Sequence, residues 1–399
     1  ESKVPEWLDH HRESWVWLKD RFVPYPFQNN IHRLPSEDIV NCLDGVVKAK
    51  EASRSYTAPP KTFQDWINRN FGDGISDIFL NPYNYKVWAF KPEQMNAQWM
   101  GERVPTVDIK RIVKNIVNNE DDVGWGPNAT FRFPMHGGTG GIWTAIADAL
   151  PRDQIRLNTS VTSVDVEKKT VTTNSGEVVP YDVLISTMPL TLLLEMTTGA
   201  GSAPLKEHKD TGVYSTSHIL GLGLKGQPPA HLKGKCWMYF PEDDCPFYRV
   251  TLFSHYSPKN VPDVNNQWSL MFEVSESTAK PVTADVLEAT IQGALNTKLI
   301  SSREEIISTW HERLEYGYPT PFIGRDEWLA KVQPQLLKLD IWSRGRFGGW
   351  KYEVGNQDHS LMQGVEAADS ALFGIEETTY FYADLVNSRT NTQRSYKKL

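Results

Sequence analysis

The chain has 399 residues, 40% apolar and 23% charged, with a net charge of −7. That length calls for two or three packed subdomains and the composition excludes bulk disorder. No apolar run reaches the ~18 residues of a membrane-spanning helix, and an acidic chain without a basic tract is not built as a nucleic-acid binder.

The N-terminal third reads as a helical block. Ser36 is placed to cap a helix that carries Glu37 and Asp38 in its first turn and Ile39, Leu43, Val46 and Val47 on one stripe. Thr62 and Asp65 have the spacing of a capping box ahead of Phe63, Trp66 and Ile67, and Gly72 is the predicted stop. Ile109, Ile112, Val113, Ile116 and Val117 form a third stripe behind Pro105 and Thr106.

From Asn128 the texture changes. Phe131–Pro134 reads extended, and Gly137, Gly138, Gly140 and Gly141 lead into a helix over Ile142–Leu150. Short strands are predicted at Val161–Val166 and Val183–Ser186. A glycine turn, a helix and short strands form a common grammar of dinucleotide enzymes. Residues 212–317 read as antiparallel sheet, with strands at Val213–Leu224, Lys235–Pro241, Phe247–Ser254, Trp268–Ser275 and Ile306–Leu314. One helix, marked by Leu287, Ile291 and Leu295, interrupts them. Near the end, Gly345–Gly349 is a tight glycine-rich segment, followed from Asn356–Asp358 by a helix with Leu361, Met362, Val365 and Leu372 turned inward.

Several motifs carry no chemistry. Gly221-Leu-Gly223-Leu-Lys-Gly226 matches GxGxxG, but Gln227, Pro228 and Pro229 follow where a phosphate-binding helix must begin. His311-Glu312 lacks the second histidine of a zinc motif, and no GxSxG is present. Cys42, Cys236 and Cys245 form no CxxC pair, so neither a zinc site nor a disulfide framework is indicated and a reducing compartment is expected. Two aromatic and amide clusters stand out instead, Tyr25-Pro26-Phe27-Gln28-Asn29-Asn30 and Asn81-Pro82-Tyr83-Asn84-Tyr85-Lys86-Val87-Trp88. Flat rings with amides suit a nucleobase, stacked on its face and hydrogen-bonded along its edge. Arg103, Arg249 and Arg346 are candidate clamps for a diphosphate, if the fold brings them together.

These motifs resemble those of the UDP-galactopyranose mutases of the eukaryotic, fungal-like type. The resemblance rests on VPYPFQNNI at 23–31, NPYNYKVWA at 81–89, GERV at 101–104, GWGPNATFRFP at 124–134 and GGTGGIW at 137–143. It continues through CWMYFPEDDCPFYR at 236–249, GYPTP at 317–321 and WSRGRFGGWKYEVGNQDHS at 342–360.

What the resemblance implies is a mixed α/β flavoenzyme that interconverts UDP-galactopyranose and UDP-galactofuranose through an adduct of reduced flavin N5 with the sugar, its FAD active only when reduced. Tyr25, Phe27, Gln28, Asn84 and Trp88 would hold the uridine, and Arg103 and Asn128 would line the cleft. Tyr239, Arg249, Tyr318 and Tyr352 would bind the diphosphate, with Arg346 between substrate and flavin. Arg249, Arg346 and Arg103 would be the catalytic cations. Arg12, Val161, Gly355, Asn356, Gln357 and Ser360 would meet the cofactor. No metal is implied. NAD(P)H is the candidate reductant, a homo-oligomer the candidate assembly and the cytoplasm the expected location.

The implied architecture is an incomplete Rossmann-like FAD-binding domain with an inserted helical domain and an antiparallel sheet domain. Residues 1–31 would form a residual FAD segment with the uridine loop, 32–123 the helical domain, 124–190 a second FAD segment, 191–330 the sheet domain and 331–399 the last FAD segment and helix. The family's opening strand, GxGxxG turn and helix are not found here, and the chain opens on Glu1. At least the family's first βαβ piece, about 30 residues that would hold the FAD pyrophosphate and ribose, is therefore expected to be absent from this sequence, as is the family's histidine-bearing loop. Two other readings stay open at this level: a non-catalytic UDP-sugar-binding remnant, and a flavin oxidase of amine-oxidase type.

Overall fold

The computed structural model describes residues 6–100, 106–123 and 130–388. It divides into two compact units, one of Glu1–Glu93, Pro105–Ile155 and Thr216–Glu315, the other of Gln94–Val104, Arg156–Ser215 and Tyr316–Leu399. No helix among the described residues is long and apolar enough to cross a membrane.

The first unit is organised by a seven-stranded sheet in the order Ile306–Pro319, Tyr214–Lys225, Gln267–Glu276, Arg249–Leu252, Trp237–Tyr239, Ser14–Leu18, Arg21–Pro24. Strand alternation decides its two faces. Leu220, Leu222, Leu224, Met238, Val250, Leu252, Leu270 and Phe272 turn to one side and form a buried core with Ile291 and Ala294 of the helix Val286–Asn296. Each such side chain contributes roughly 1.5–3 kcal/mol by leaving water. Asp285 starts that helix by accepting hydrogen bonds from the Leu287 and Glu288 N–H groups at 3.0 and 3.1 Å. The sequence pattern predicts antiparallel strands over 212–317, and the registers within it that join Gln267–Glu276 to its neighbours are antiparallel. The N-terminal strands are an addition that sequence reading does not place, and Ser14–Leu18 joins Trp237–Tyr239 in parallel.

Gly221 and Gly223 lie inside the strand Tyr214–Lys225, with no helix after them. A Cβ on Gly223 would stand 2.4 Å from Ser308 Oγ, so the small residue serves close packing against the neighbouring strand.

The helical block comprises Ser36–Ala52, Phe63–Ile75 and Ile109–Asn118. The Thr62 capping box is present: Asp65 N–H donates to Thr62 Oγ1 at 3.0 Å and Thr62 N–H to Asp65 Oδ2 at 3.2 Å. Three expectations need correction. Ser36 is the first helical residue rather than the cap; Pro35 takes the cap position, and no side chain caps there. Gly72 interrupts its helix at φ 68° without ending it, and helical residues continue to Ile75. The third stripe is narrower than its apolar pattern, since Val117 is 77% exposed while Ile112 and Asn115 are the buried positions. Asn115 is drawn inward by donating to the Asn29 carbonyl at 2.9 Å.

The glycine cluster opens the helix Gly138–Ala149, with Gly137 as a left-handed N-cap. That helix buries none of its residues, and Trp143 and Ile146 face outward.

In the second unit, Leu190, Leu193 and Leu194 pack with Trp328, Leu329, Val332 and Trp350 around the parallel pair Leu184–Ser186 and Ile341–Ser343. A four-stranded sheet runs in the order Val178–Pro180, Thr170–Thr173, Val161–Asp165, Thr197–Thr198. The final long helix is Gln357–Phe373. Its predicted inward face is wrong in part: Leu361 and Leu372 are exposed, and Gln363 and Ala367 are the buried residues. The reason is polar. Gln363 Oε1 accepts from Gly345 N–H at 2.8 Å, and its Nε2 donates to the Val354 carbonyl at 2.7 Å.

Candidate active site

The non-core face of the large sheet carries the first group of candidate residues. Cross-strand register sets Tyr239 opposite Arg249 and Arg249 opposite Glu273. Because alternation sends Met238, Val250 and Phe272 to the core, these three polar side chains share the other face. Arg249 Nε donates to Glu273 Oε1 at 2.6 Å and Nη2 to Oε2 at 2.8 Å, a bidentate pair. Tyr248 Oη donates to the same carboxylate at 2.7 Å. Glu273 is 5% exposed, so its charge is held by these partners rather than by water.

Tyr25 and Tyr239 pack with ring centroids 5.6 Å apart, and Tyr83, Phe79 and Phe27 extend the stack at centroid spacings of 5.5, 5.4 and 4.6 Å. Burial pushes both the Tyr25 and Tyr239 phenols upward, against the pull of the Arg12 guanidinium, so both remain neutral hydrogen-bond donors. Arg12 thus stands near the two tyrosines. Phe27 and Trp88 are fully packed, and Gln28 is 2% exposed. Asn84 sits in the helix Asn81–Trp88, its amide donating to the Leu80 carbonyl at 2.7 Å.

Sequence reasoning misses what secures this loop. Asn30 Nδ2 donates to the carbonyls of Pro26 and Asp122 at 2.9 and 3.0 Å, and its Oδ1 accepts from Asp122 N–H at 2.8 Å. The sequence signal is weak but present: Asn30 closes the first aromatic and amide cluster. Glu273 has no local signal, because only strand register brings it to Arg249. Arg103 and Asn128 lie outside the described residues.

The second unit carries another group. Arg346, on the short helix Gly345–Gly348, donates from Nε to the Gly355 carbonyl at 2.9 Å. Its guanidinium carbon lies 5.2 Å from the Tyr318 ring centroid and 5.8 Å from that of Tyr352, so the cation stands against two aromatic rings. Trp99 meets Tyr352 edge-on at 5.5 Å. Next to this group, Arg325 binds Glu353 through two hydrogen bonds of 2.8 and 2.7 Å, with Arg325 1% exposed. That buried pair fixes the chain next to Tyr352.

The residues present here fit a flavin dinucleotide. Asn356 precedes the helix Gln357–Phe373 with no side-chain cap on its first turn, the kind of helix start that suits an anion, and Ser360 N–H donates to the Asn356 carbonyl at 2.8 Å. Gly345 is left-handed at φ 85°, and a Cβ there would meet nothing within 4 Å. The parallel strands end at Ser186 and Ser343, the end at which α/β sheets take ligands, and Ser186 Oγ is buried with no partner among the described residues. Val161 starts the strand Val161–Asp165, half-buried against the same core. No cluster of three or more metal-ligating side chains occurs among the described residues.

Residues 31–219 match the model of the flavin containing amine oxidoreductase family. A crystal structure of a reduced UDP-galactopyranose mutase is 52% identical, aligned over 95% of this chain and 81% of that one, with a TM-score of 0.92. Wild-type putrescine oxidase bound to putrescine is 14% identical over 92% of this chain and 82% of that one, with a TM-score of 0.58. Cyclohexylamine oxidase from Brevibacterium oxydans IH-35A is 12% identical over the same 92% and 82%, also at 0.58. The two oxidases share the fold alone. Identity above one half over nearly the whole chain, together with a bidentate arginine beside neutral tyrosines and an uncapped helix start, makes this chain a member of the UDP-galactopyranose mutase family.

Proposed function

We propose that this protein is the flavin-dependent isomerase that interconverts UDP-galactopyranose and UDP-galactofuranose. The observation that carries the reading is the 52% identity to a reduced UDP-galactopyranose mutase over 95% of the chain. Bound and reduced, FAD would supply the electron-rich centre that the chemistry at the anomeric carbon of the sugar requires.

The chain's own groups have the chemistry the rest of the reaction asks for. Release of an anionic diphosphate favours fixed cations and neutral donors over acids. Arg249, oriented by Glu273, offers the cation, and Tyr239, kept neutral by burial, offers a hydroxyl donor. Tyr318 and Tyr352 are assigned to the diphosphate as well, with Arg346 between substrate and flavin. Tyr25, Phe27, Gln28, Asn84 and Trp88 are assigned to the uridine, and Arg103 and Asn128 to the cleft lining. Arg12, Val161, Gly355, Asn356, Gln357 and Ser360 are assigned to FAD. The helix start at Gln357 would favour an anionic reduced flavin.

The proposal extends to NAD(P)H as reductant, a homo-oligomeric assembly and a cytoplasmic setting that supplies galactofuranose for cell-wall glycans. The test is conversion of UDP-galactofuranose to UDP-galactopyranose by the flavin-loaded protein after dithionite reduction. Turnover that depends on reduction is expected, and its absence in a flavin-loaded sample overturns the assignment.

A further inference from the structure

A cavity of about 490 Å³ lies in the first unit between the helix Val286–Asn296, the loop 243–246 and the segment 280–284. Of the two sheet residues that line it, Val274 belongs to the apolar core face and Ser275 to the face of Glu273. Two lysines reach this cavity, and neither has a part in the site described above.

Lys86 is 4% exposed. Its Nζ faces three acceptors: the carbonyls of Glu242 and Cys245, each at 2.8 Å, and Cys245 Sγ at 3.4 Å. These acceptors occupy the three donor positions of the Lys86 side chain and hold it in place, although burial draws this amine downward as well. Lys280 is held differently. Among the described residues its Nζ has hydrogen-bond contacts with Ser275 alone, both long, at 3.2 Å to the carbonyl and 3.4 Å to Oγ. Ser275 Oγ in turn donates to the Lys86 carbonyl, so both lysines are tied to the same strand residue.

We propose that Lys280 is a covalent modification site, acylated from this cavity by activated acyl donors of the thioester or acyl phosphate class. The Nζ lone pair attacks the acyl carbon, and the bond from that carbon to sulfur or phosphate oxygen breaks. The leaving group keeps the electron pair, and the nitrogen's proton passes to it or to solvent. The product is a neutral amide in place of a cation.

The surroundings favour this amine over other nucleophiles. A half-buried lysine beside a second, buried lysine is a recognised setting for a nucleophilic amine. The groups that face Lys280 are the Lys86 amine and the Tyr85 ring from the helix Asn81–Trp88, and Asp243 from the loop, with Asp244 at the rim; the helix Val286–Asn296 contributes only neutral side chains to the lining. Burial, helped by Lys86, brings Lys280 down to about 8, while burial pushes the nearby Cys245 thiol up to about 12. The amine, not the thiol, is the reactive group.

The test is competitive labelling of the intact protein with acetyl phosphate between pH 6 and 10, read by peptide mass spectrometry. Lys280 is compared with Lys233, an exposed lysine of the same unit. Lys280 is expected to label about tenfold faster than Lys233 at pH 7.5 and to level off above pH 8. The Lys280→Arg variant should lose that early label. Labelling of Lys280 no faster than Lys233 at every pH overturns the proposal.

Discussion

Arg249 and Glu273 face each other on adjacent antiparallel strands and share two parallel hydrogen bonds of 2.6 and 2.8 Å. The pair is uneven. The carboxylate side chain is 7% exposed and the guanidinium 32%, so the acid lies in the floor and the base opens toward solvent. This arrangement fixes the plane of a half-buried cation and keeps its carboxylate partner below the surface, a geometry suited to an anionic ligand. Tyr239, neutral through burial, stands beside it on the next strand, opposite Arg249 in register.

Glu273→Gln keeps the shape and removes the charge. Arg249 then loses half of its charge-assisted bonding and is less fixed. Turnover of UDP-galactofuranose should fall by about tenfold, equivalent to ~1.4 kcal/mol, while UDP still binds. Arg249→Ala should instead weaken UDP binding by roughly 1.5–3 kcal/mol, because it removes a charged hydrogen bond and leaves an uncompensated carboxylate. Calorimetric titration with UDP separates the two effects. The double variant should bind UDP more tightly than Arg249→Ala alone, since a neutral amide in place of the Glu273 carboxylate does not repel the diphosphate. Equal affinities would show that the two residues do not act together.

Much of this is legible in the sequence. The strands over 212–317 are readable because Leu220, Leu222 and Leu224 alternate with residues of the opposite face, and the Thr62 box because its spacing is local. Leu361 and Leu372 mislead because apolar periodicity does not reveal a polar requirement; the helix turns Gln363 inward to serve two backbone groups. Glu273, Glu353 and Gln363 are invisible for one reason. Each acts through a residue distant in sequence, or through backbone that only tertiary packing presents.

The Arg325–Glu353 pair gives a second test, in the other unit. Both residues are buried and joined by two hydrogen bonds, and Asp326 also binds the guanidinium. Removing one partner of a buried pair strands the other charge and costs about 3–5 kcal/mol. Glu353→Ala should therefore lower the urea midpoint markedly. The milder Glu353→Gln should fold and still change the Tyr352 environment, seen as a shift in its fluorescence or in UDP affinity. A midpoint unchanged in both variants would contradict a supporting role for this pair.

Stability should fall as the solution is acidified below about pH 6.5. Burial holds both His218 and His255 below the ordinary histidine value of 6.5. His218 Nδ1 lies 2.9 Å from His311 Nε2, and its Nε2 lies 3.0 Å from Glu276, with Arg313 close by. The unfolded chain thus binds protons that the folded chain resists. By linkage, stability is complete above the unfolded value and is lost as pH falls from there through the lower folded values. Urea midpoints at pH 5.0 and 7.5 measure the loss, and His218→Asn should reduce the difference between them. A His218→Asn profile that superimposes on the wild type would exclude this histidine as a source.

Gly74 supplies the sharpest packing test. The helices Ser36–Ala52 and Phe63–Ile75 approach so closely that a Cβ on Gly74 would lie 2.4 Å from the Asn41 carbonyl oxygen and 2.7 Å from Cys42 Cα. Both are backbone atoms, which cannot swing aside as a side chain does. Gly74 needs no positive φ, unlike Gly72, so alanine there adds bulk without backbone strain. In an open helix the same change would stabilise by up to ~1 kcal/mol through helix propensity. Here the clash must win: Gly74→Ala should destabilise by about 1–3 kcal/mol, the usual cost of overpacking. Chemical denaturation reads the sign directly, and a stabilised variant would mean that the two helices stand further apart than this contact requires.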